Sequence, residues 1–293
     1  MTLSQDPHWL RAGNWLTEIE SADFAIVGVG ASQSALTPNN AHATPAAVRS
    51  ALLRYSTWNS SMKVDLADSL KGGDFGDLKN PDDQEEKILE LSNLLNRTKT
   101  LVLIGGDNSI TYSGVLALAK KNDVKEIGVI TLDAHHDLRD GKSNGSPIKQ
   151  LVDAGLPGRN IVQIGINDFA NSQFYSDRAN KLGISVIHRR DFDSNSISHI
   201  ASKSLASLSH CRVIYLDIDV DVCDRSVVPA APASMPGGIS ADQLRQLVSN
   251  LAQEKRVTTF DITEIDATID TPDERTTRLA ALLILEIAAA KAR

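Results

Sequence analysis

Two short runs carry the side chains best suited to chemistry: Asp133, His135 and Asp137 in TLDAHHDLRD, and Asp217 and Asp219 in YLDIDVDVCD. Each follows an apolar, β-type run, at residues 127–132 and 213–216. In extended chain, residues i, i+2 and i+4 point the same way, so each run can aim its carboxylates and imidazole at one spot. Four carboxylates and one imidazole form a hard, oxygen-rich donor set that suits Mn²⁺ or a similar divalent ion better than the Cys/His sets of structural zinc do. Bridging carboxylates also allow two ions roughly 3.5–4 Å apart, with a water between them that ionises near neutral pH. One such pattern alone is ordinary, because Asp is common at turns and strand ends. Two of them, both at strand ends, point to a metal pair that binds and activates a small-molecule substrate.

Elements that could position these runs follow from the apolar periodicity. β-rich runs recur at 24–29, 100–104, 127–132, 161–164, 184–187, 213–216 and 257–260. Helical patterns separate most of them, at 44–55, 85–95, 109–122, 177–182, 196–208, 240–253 and 277–292. The first opens with Thr44-Pro45, a cap followed by a residue preset for the first turn. Such alternation predicts an α/β fold with a parallel sheet covered by helices on both faces. Ligands of open parallel sheets bind beyond the carboxyl ends of the strands, where both acidic runs fall. No repeat, low-complexity tract or linker divides the 293 residues, so a single domain over 1–293 is expected.

Composition narrows the function classes. Hydrophobic residues at 42% and charged ones at 23% describe an ordinary globular chain. A net charge of −7 argues against a general nucleic-acid or membrane-surface partner, which would want clustered Lys and Arg. No run reaches the apolar length of a membrane span. The opening MTLSQDPHWLRAGNWL lacks a basic head followed by an apolar core, so the cytoplasm is the expected compartment. Cys211 and Cys223 form no CxxC pair and are expected to be plain packing thiols.

Rival motifs are weaker. Gly28 and Gly30 follow a strand, but Gln33 stands where a dinucleotide fingerprint needs a third small residue, so a glycine turn is expected. Gly105-Gly106 precede no GK[ST]; close backbone approach at the metal site explains them better. His136 points away from His135 by alternation, which suits packing or support. His188, His199 and His210 lack acidic partners at ligand spacing, and Asp221 and Asp224 read as loop caps.

Beside the acidic runs stand GGDNSIT (105–111), SNGSP (143–147) and ITEIDA with Glu264. In order and spacing these motifs resemble those of the ureohydrolase superfamily: arginases, agmatinases, guanidinobutyrases and formimidoylglutamases. The resemblance implies a three-layer α/β/α fold with a mostly parallel sheet, two Mn²⁺ per chain, and hydroxide attack on an amidine or guanidinium carbon. It also implies a homo-oligomer, trimer or hexamer. It assigns Asp133, Asp137 and Asp217 to one ion and Asp133, His135, Asp217 and Asp219 to the other, with Asp133 and Asp217 bridging. Glu264 would hold the substrate's planar nitrogen cation, a pairing that suits a carboxylate.

Two departures from that pattern refine the expectation. Arginases and agmatinases carry a histidine where this chain has Asn108, whose amide oxygen is a weaker, neutral donor to the first ion. They also carry a proton-shuttling histidine where this chain has Asn144, which cannot titrate. A small polar residue before Gly-Ser-Pro, the stretch 42–58 and the stretch 158–172 resemble formimidoylglutamases most. Their substrate has two carboxylates remote from the reacting group, so the pocket should supply cations; Arg139 and Arg225 are candidates, unless they are solvated or paired with Asp140 and Asp224. With no shuttle histidine, the departing amine's proton would come through water or Asp137. The remaining alternatives are a guanidino hydrolase releasing urea, sharing every ligand, and a non-catalytic relative, suggested by Asn108.

Overall fold

The computed structural model describes residues 6–293; the first five residues of the opening stretch read for a leader lie outside the described residues. In chain order the strands are β1 (Thr17–Glu18), β2 (Ala22–Val29), a hairpin of β3 (Trp58–Asn59) and β4 (Val64–Asp65), β5 (Gly72–Asp77), β6 (Thr98–Gly105), β7 (Ile127–Leu132), β8 (Ile161–Ile166), β9 (Ser185–His188), β10 (Val213–Asp219) and β11 (Val257–Thr263). The helices are α1 (Ala12–Trp15), α2 (Thr44–Leu52), α3 (Leu66–Ser69), α4 (Gln84–Leu94), α5 (Ser109–Ala119), α6 (Pro147–Asp153), α7 (Gln173–Leu182), α8 (Ile197–Ser207), α9 (Ala241–Ala252) and α10 (Arg275–Lys291).

Nine strands form one sheet in the order β1-β5-β2-β6-β11-β10-β7-β8-β9. Every pairing in it is parallel, so all carboxyl ends share one edge. The central strands are apolar on both faces, and every residue of β7 is buried, as a sheet covered twice requires. One face buries Ile130, Leu216 and Phe260 against α2, α8, α9 and α10. The other buries Val129, Tyr215 and Leu101 against α4, α5, α6 and α7. This is the expected three-layer α/β/α arrangement. No helix among the described residues is long and apolar enough to cross a membrane.

All seven expected strands and all seven expected helices form; two boundaries and one added strand differ from expectation for physical reasons. The helix expected at 177–182 starts earlier, at Gln173, because Phe174 and Tyr175 of its first turn stand side by side rather than at helical spacing and Phe174 is exposed. The β5 strand is an addition to the expected set; its sequence GGDFGD opens with two glycines because Trp15 comes 2.5 Å from where a Cβ on Gly72 would sit and Ile19 2.8 Å from one on Gly73. The strand expected at 213–216 continues through Asp217 and Ile218 to Asp219. That last difference displaces part of the site.

The glycine motifs resolve as packing. A Cβ on Gly28 would strike Asp77 and Pro45, and one on Gly30 would meet the His42 backbone, so both serve a tight strand end. Gly106 lies against the Ala31 backbone, where a Cβ would come 1.8 Å from its carbonyl oxygen. The close approach expected there exists, but its partner is the end of β2 rather than the acid cluster.

Candidate metal centre

The two acidic runs meet. Strand β7 ends at Leu132, so Asp133, His135 and Asp137 leave the sheet together. His135 Nδ1 lies 2.9 Å from Asp221 Oδ2 and 3.4 Å from Asp133 Oδ1. Ligand atoms of Asp133, His135 and Asp221 all fall within 4.8 Å of one another, and both carboxylates are buried. Asp219 caps the following turn, accepting from the Asp221 N–H at 2.9 Å. Asp221 Oδ1 accepts from the Ala134 N–H at 3.2 Å, which stitches the second run to the first.

Asp221, expected to be a loop cap, is therefore a central member of the cluster. Asp217 is displaced in the opposite sense. It still lies inside β10, flanked in register by Thr131 of β7 and Asp261 of β11. It does not line the pocket, and neither of its oxygens has a hydrogen-bond partner among the described residues. The period of two ran correctly through Asp217, Asp219 and Asp221, but the strand end was placed three residues early. Asp224 is the loop cap that was expected, accepting from Ser226 N and Gly237 N.

Asn108 stands at the site but is committed elsewhere. Its amide oxygen accepts from Thr263 Oγ1 at 3.2 Å and lies 2.8 Å from Thr111 Oγ1, whose one proton is shared with Asp261 Oδ2, and its Nδ2 donates to Asp137 Oδ2 at 2.5 Å. Asn108 thus holds Asp137 through its amide nitrogen. Glu264 Oε1 accepts from Asn108 N at 2.8 Å and Asn144 Nδ2 at 2.9 Å. Its Oε2 has no protein partner among the described residues and is left to face the pocket. Asp137 and Glu264 both adopt the left-handed backbone region, at φ 52° and 60°, which is strained for residues with a Cβ and is typical of functional sites.

Electrostatics fit a cation trap. Burial, then the neighbouring Asp221, raises Asp133 to about 6. Burial raises Glu264 to about 7, against the two N–H groups that stabilise its charge. Asp137 and Asp219 are pushed well above the usual carboxylate range by burial and by Asp133 and Asp221 respectively. Burial opposes charge on His135, but Asp221 and Asp133 together push it up to about 12. So many buried carboxylates repel one another, and divalent cations relieve that repulsion. The oxygen-rich donor set with one imidazole fits Mn²⁺.

Of these groups His135, Asp137, Asp219, Asp221 and Glu264 floor a cleft of about 460 Å³, with Asp133 beneath them. Beyond the acid cluster its walls hold no carboxylate among the described residues, and Arg139 is their one arginine or lysine. The guanidinium of Arg139 has no hydrogen-bond or ion-pair partner among the described residues, and Asp140 is taken by Arg178 instead. Arg225, expected to reach substrate, does not line the cleft. Its Nη1 donates to the carbonyls of Ala231 and Ser234 at 3.3 Å, bracing the loop whose Pro232 and Ala233 form a wall. Asn144 ties wall to floor, accepting from Leu36 N at 3.0 Å and donating to Glu264. His136 turns away as expected, with its Nδ1 2.7 Å from Gln163 Oε1.

The sequence model of the Arginase family matches residues 22–290. The chain belongs to the arginase family. Among curated members it is 35% identical over 275 residues to formimidoylglutamase of Halalkalibacterium halodurans, covering 89% of this chain and 85% of that one. Among solved arginase-like structures, formimidoylglutamase from Bacillus subtilis superposes with a TM-score of 0.90 at 27% identity, covering 99% of this chain and 94% of that one. Formiminoglutamase from Trypanosoma cruzi, solved with Mn²⁺, shares the fold at a TM-score of 0.81 and 21% identity, over 92% and 94% of the two chains.

Proposed function

We propose that this arginase-family chain hydrolyses N-formimidoyl-L-glutamate to L-glutamate and formamide, and that it does so with two Mn²⁺ per chain. The observation that carries the reading is the polarity of the cleft: an acidic floor at one end and, among the described residues, an unpaired arginine with no acid on the walls. A substrate cationic at its reacting carbon and anionic at its tail matches that gradient, whereas a guanidino compound with a plain methylene tail would leave Arg139 unused. The similarity to formimidoylglutamases from Halalkalibacterium halodurans and Bacillus subtilis supports the same choice.

In this reading Asp133, His135, Asp137, Asp219 and Asp221 hold the ions. Asn108 acts on the first of them through Asp137, and Asp217 supports the cluster from inside the sheet. Manganese bound there supplies Lewis acidity and a water that ionises near neutral pH. The chain's own groups do the rest. Glu264 Oε2 accepts an N–H of the formimidoyl group and orients its planar carbon, while Asn108 N and Asn144 Nδ2 fix the carboxylate through Oε1. Addition of water at that carbon and cleavage of its bond to the glutamate nitrogen release formamide and leave an amine that takes up a proton. Asp137, whose Oδ1 has no protein partner among the described residues, is the group assigned to deliver that proton, in place of a shuttle histidine. Arg139 receives a tail carboxylate. The same proposal includes a single domain and a homo-oligomer, trimer or hexamer.

The test is product analysis with the manganese-loaded chain on N-formimidoyl-L-glutamate, agmatine and 4-guanidinobutyrate. Formamide from the first substrate is expected. Urea from either guanidino compound, with no formamide, would replace this reading with a guanidino hydrolase. Fewer than two ions per chain at saturating Mn²⁺, with no turnover, would leave a binding relative instead.

A further inference from the structure

We propose that Arg178 is the positioning residue for recognition of the substrate's carboxylate tail, acting through Arg139; this inference rests on the acidic-tail reading above. Arg178 lies on α7, outside the cleft. Its Nη1 donates to the Leu138 carbonyl at 2.6 Å and to Asp140 Oδ1 at 2.8 Å, and its Nη2 donates to Asp140 Oδ2 at 3.2 Å. One guanidinium thus grips the residues immediately before and after Arg139.

An exposed Arg–Asp pair alone contributes little. Arg178 differs because its fork is satisfied on a backbone carbonyl as well as a carboxylate and its plane is supported by rings. The guanidinium carbon sits 4.7 Å from the centroid of Phe174 and 5.7 Å from that of Tyr175, and Tyr175 itself borders the cleft. The far side of the segment is fixed too. Arg139 N donates to the Gly145 carbonyl at 3.1 Å, and its Cδ lies 2.8 Å from where a Cβ on Gly145 would sit. The stem of Arg139 therefore lies along bare glycine backbone, with its own charge unspent and its flanking residues held.

A positioned guanidinium binds a carboxylate more tightly than one that must be ordered on binding, because less side-chain entropy is lost. Arg178 should therefore affect substrate affinity and leave the chemical step alone. The test uses the manganese-loaded full chain and two substrates: N-formimidoyl-L-glutamate, and N-butylformamidine, whose tail carries no charge. Arg139→Met, Arg178→Met, the double variant and Asp140→Asn are compared with the parent.

Arg178→Met is expected to raise KM for formimidoylglutamate about tenfold with kcat within twofold. Its kcat/KM for butylformamidine and its manganese content should stay unchanged. Asp140→Asn, a milder change that keeps the fold, should raise KM about threefold. The double variant should be no worse than Arg139→Met, because Arg178 acts only through Arg139. Additive losses in the double variant would overturn the inference, as would a parent-like KM in Arg178→Met beside a raised KM in Arg139→Met. A parent-like KM in Arg139→Met would overturn the acidic-tail reading and this inference with it.

Discussion

The stretch from Asp133 to Asp137 and the stretch from Asp217 to Asp221 share one spacing and one sheet edge, yet they are built differently. The first lies wholly beyond its strand, so its side chains spread from loop backbone that includes a left-handed Asp137. The second straddles the strand end: Asp217 is inside the sheet, Asp219 is its last residue, and Asp221 sits in a short 3₁₀ turn. A carboxylate inside a parallel sheet meets neighbouring strands, whereas one past the end meets the ligand. Identical spacing thus produces three neighbours in one stretch and a buried outlier in the other.

The largest effect that could break this comparison is at Asp221. Asp221→Ala is expected to lower kcat/KM at least about a thousandfold and to cost one manganese per chain, read by turnover and by elemental analysis. Parent-like metal content would place the centre elsewhere.

A smaller effect lies at the seam between the stretches. Gly165 has φ 105°, and a Cβ there would come 2.3 Å from Val222 and 3.3 Å from the Asp133 carbonyl. Gly165→Ala should push the 3₁₀ turn away from the end of β7, weakening manganese binding about tenfold and destabilising the fold by about 1–3 kcal/mol. Titration calorimetry and thermal melts would read both.

Smaller again is a pH effect on the chelated protein. Asp133 at about 6 and Glu264 at about 7 stand above their unfolded values, so their contribution to stability is present below pH 4 and is lost as pH rises through 6–7. His135, also raised, adds a loss above its unfolded value near 6.5. The midpoint of melting should therefore fall by several degrees between pH 5 and pH 8, and Mn²⁺ should restore it most at pH 8. A midpoint that rises over that range in chelator would contradict the assignment of repulsion to this cluster.

The smallest effect sharpens the comparison most. Asp217→Asn should keep full manganese occupancy and a kcat within about threefold of the parent, because the side chain does not reach the cleft. Loss of an ion would return Asp217 to the ligand set.

Much of this was legible in the residues. Apolar runs bounded by turn signals marked the seven central and flanking strands, and the end of β7 coincided with the end of its apolar run. β10 hid its end because two acids and an isoleucine continue the strand, and a carboxylate buried beside β11 looks the same in sequence as an exposed one. Its register neighbour Asp261 is itself buried, with the Tyr215 hydroxyl at 2.7 Å and that of Thr111 at 2.8 Å. Arg225 could not be separated from Arg139 by composition; only the loop it braces distinguishes them. Arg178 carried no signal at all, since its partners are a backbone carbonyl and residues 38 and 40 positions away.

The 2.9 Å approach of His135 to Asp221 has a consequence beyond turnover. Those two side chains follow β7 and β10, neighbouring strands far apart in sequence that pair in the folded sheet, so an ion gripping both recognises the native chain and not the unfolded one. By mass action, free manganese at a hundred times its dissociation constant adds about 2.7 kcal/mol to the native state, a large share of a typical domain's total. Metal scarcity would then cost the cell molecules as well as activity, because proteases remove chains that open.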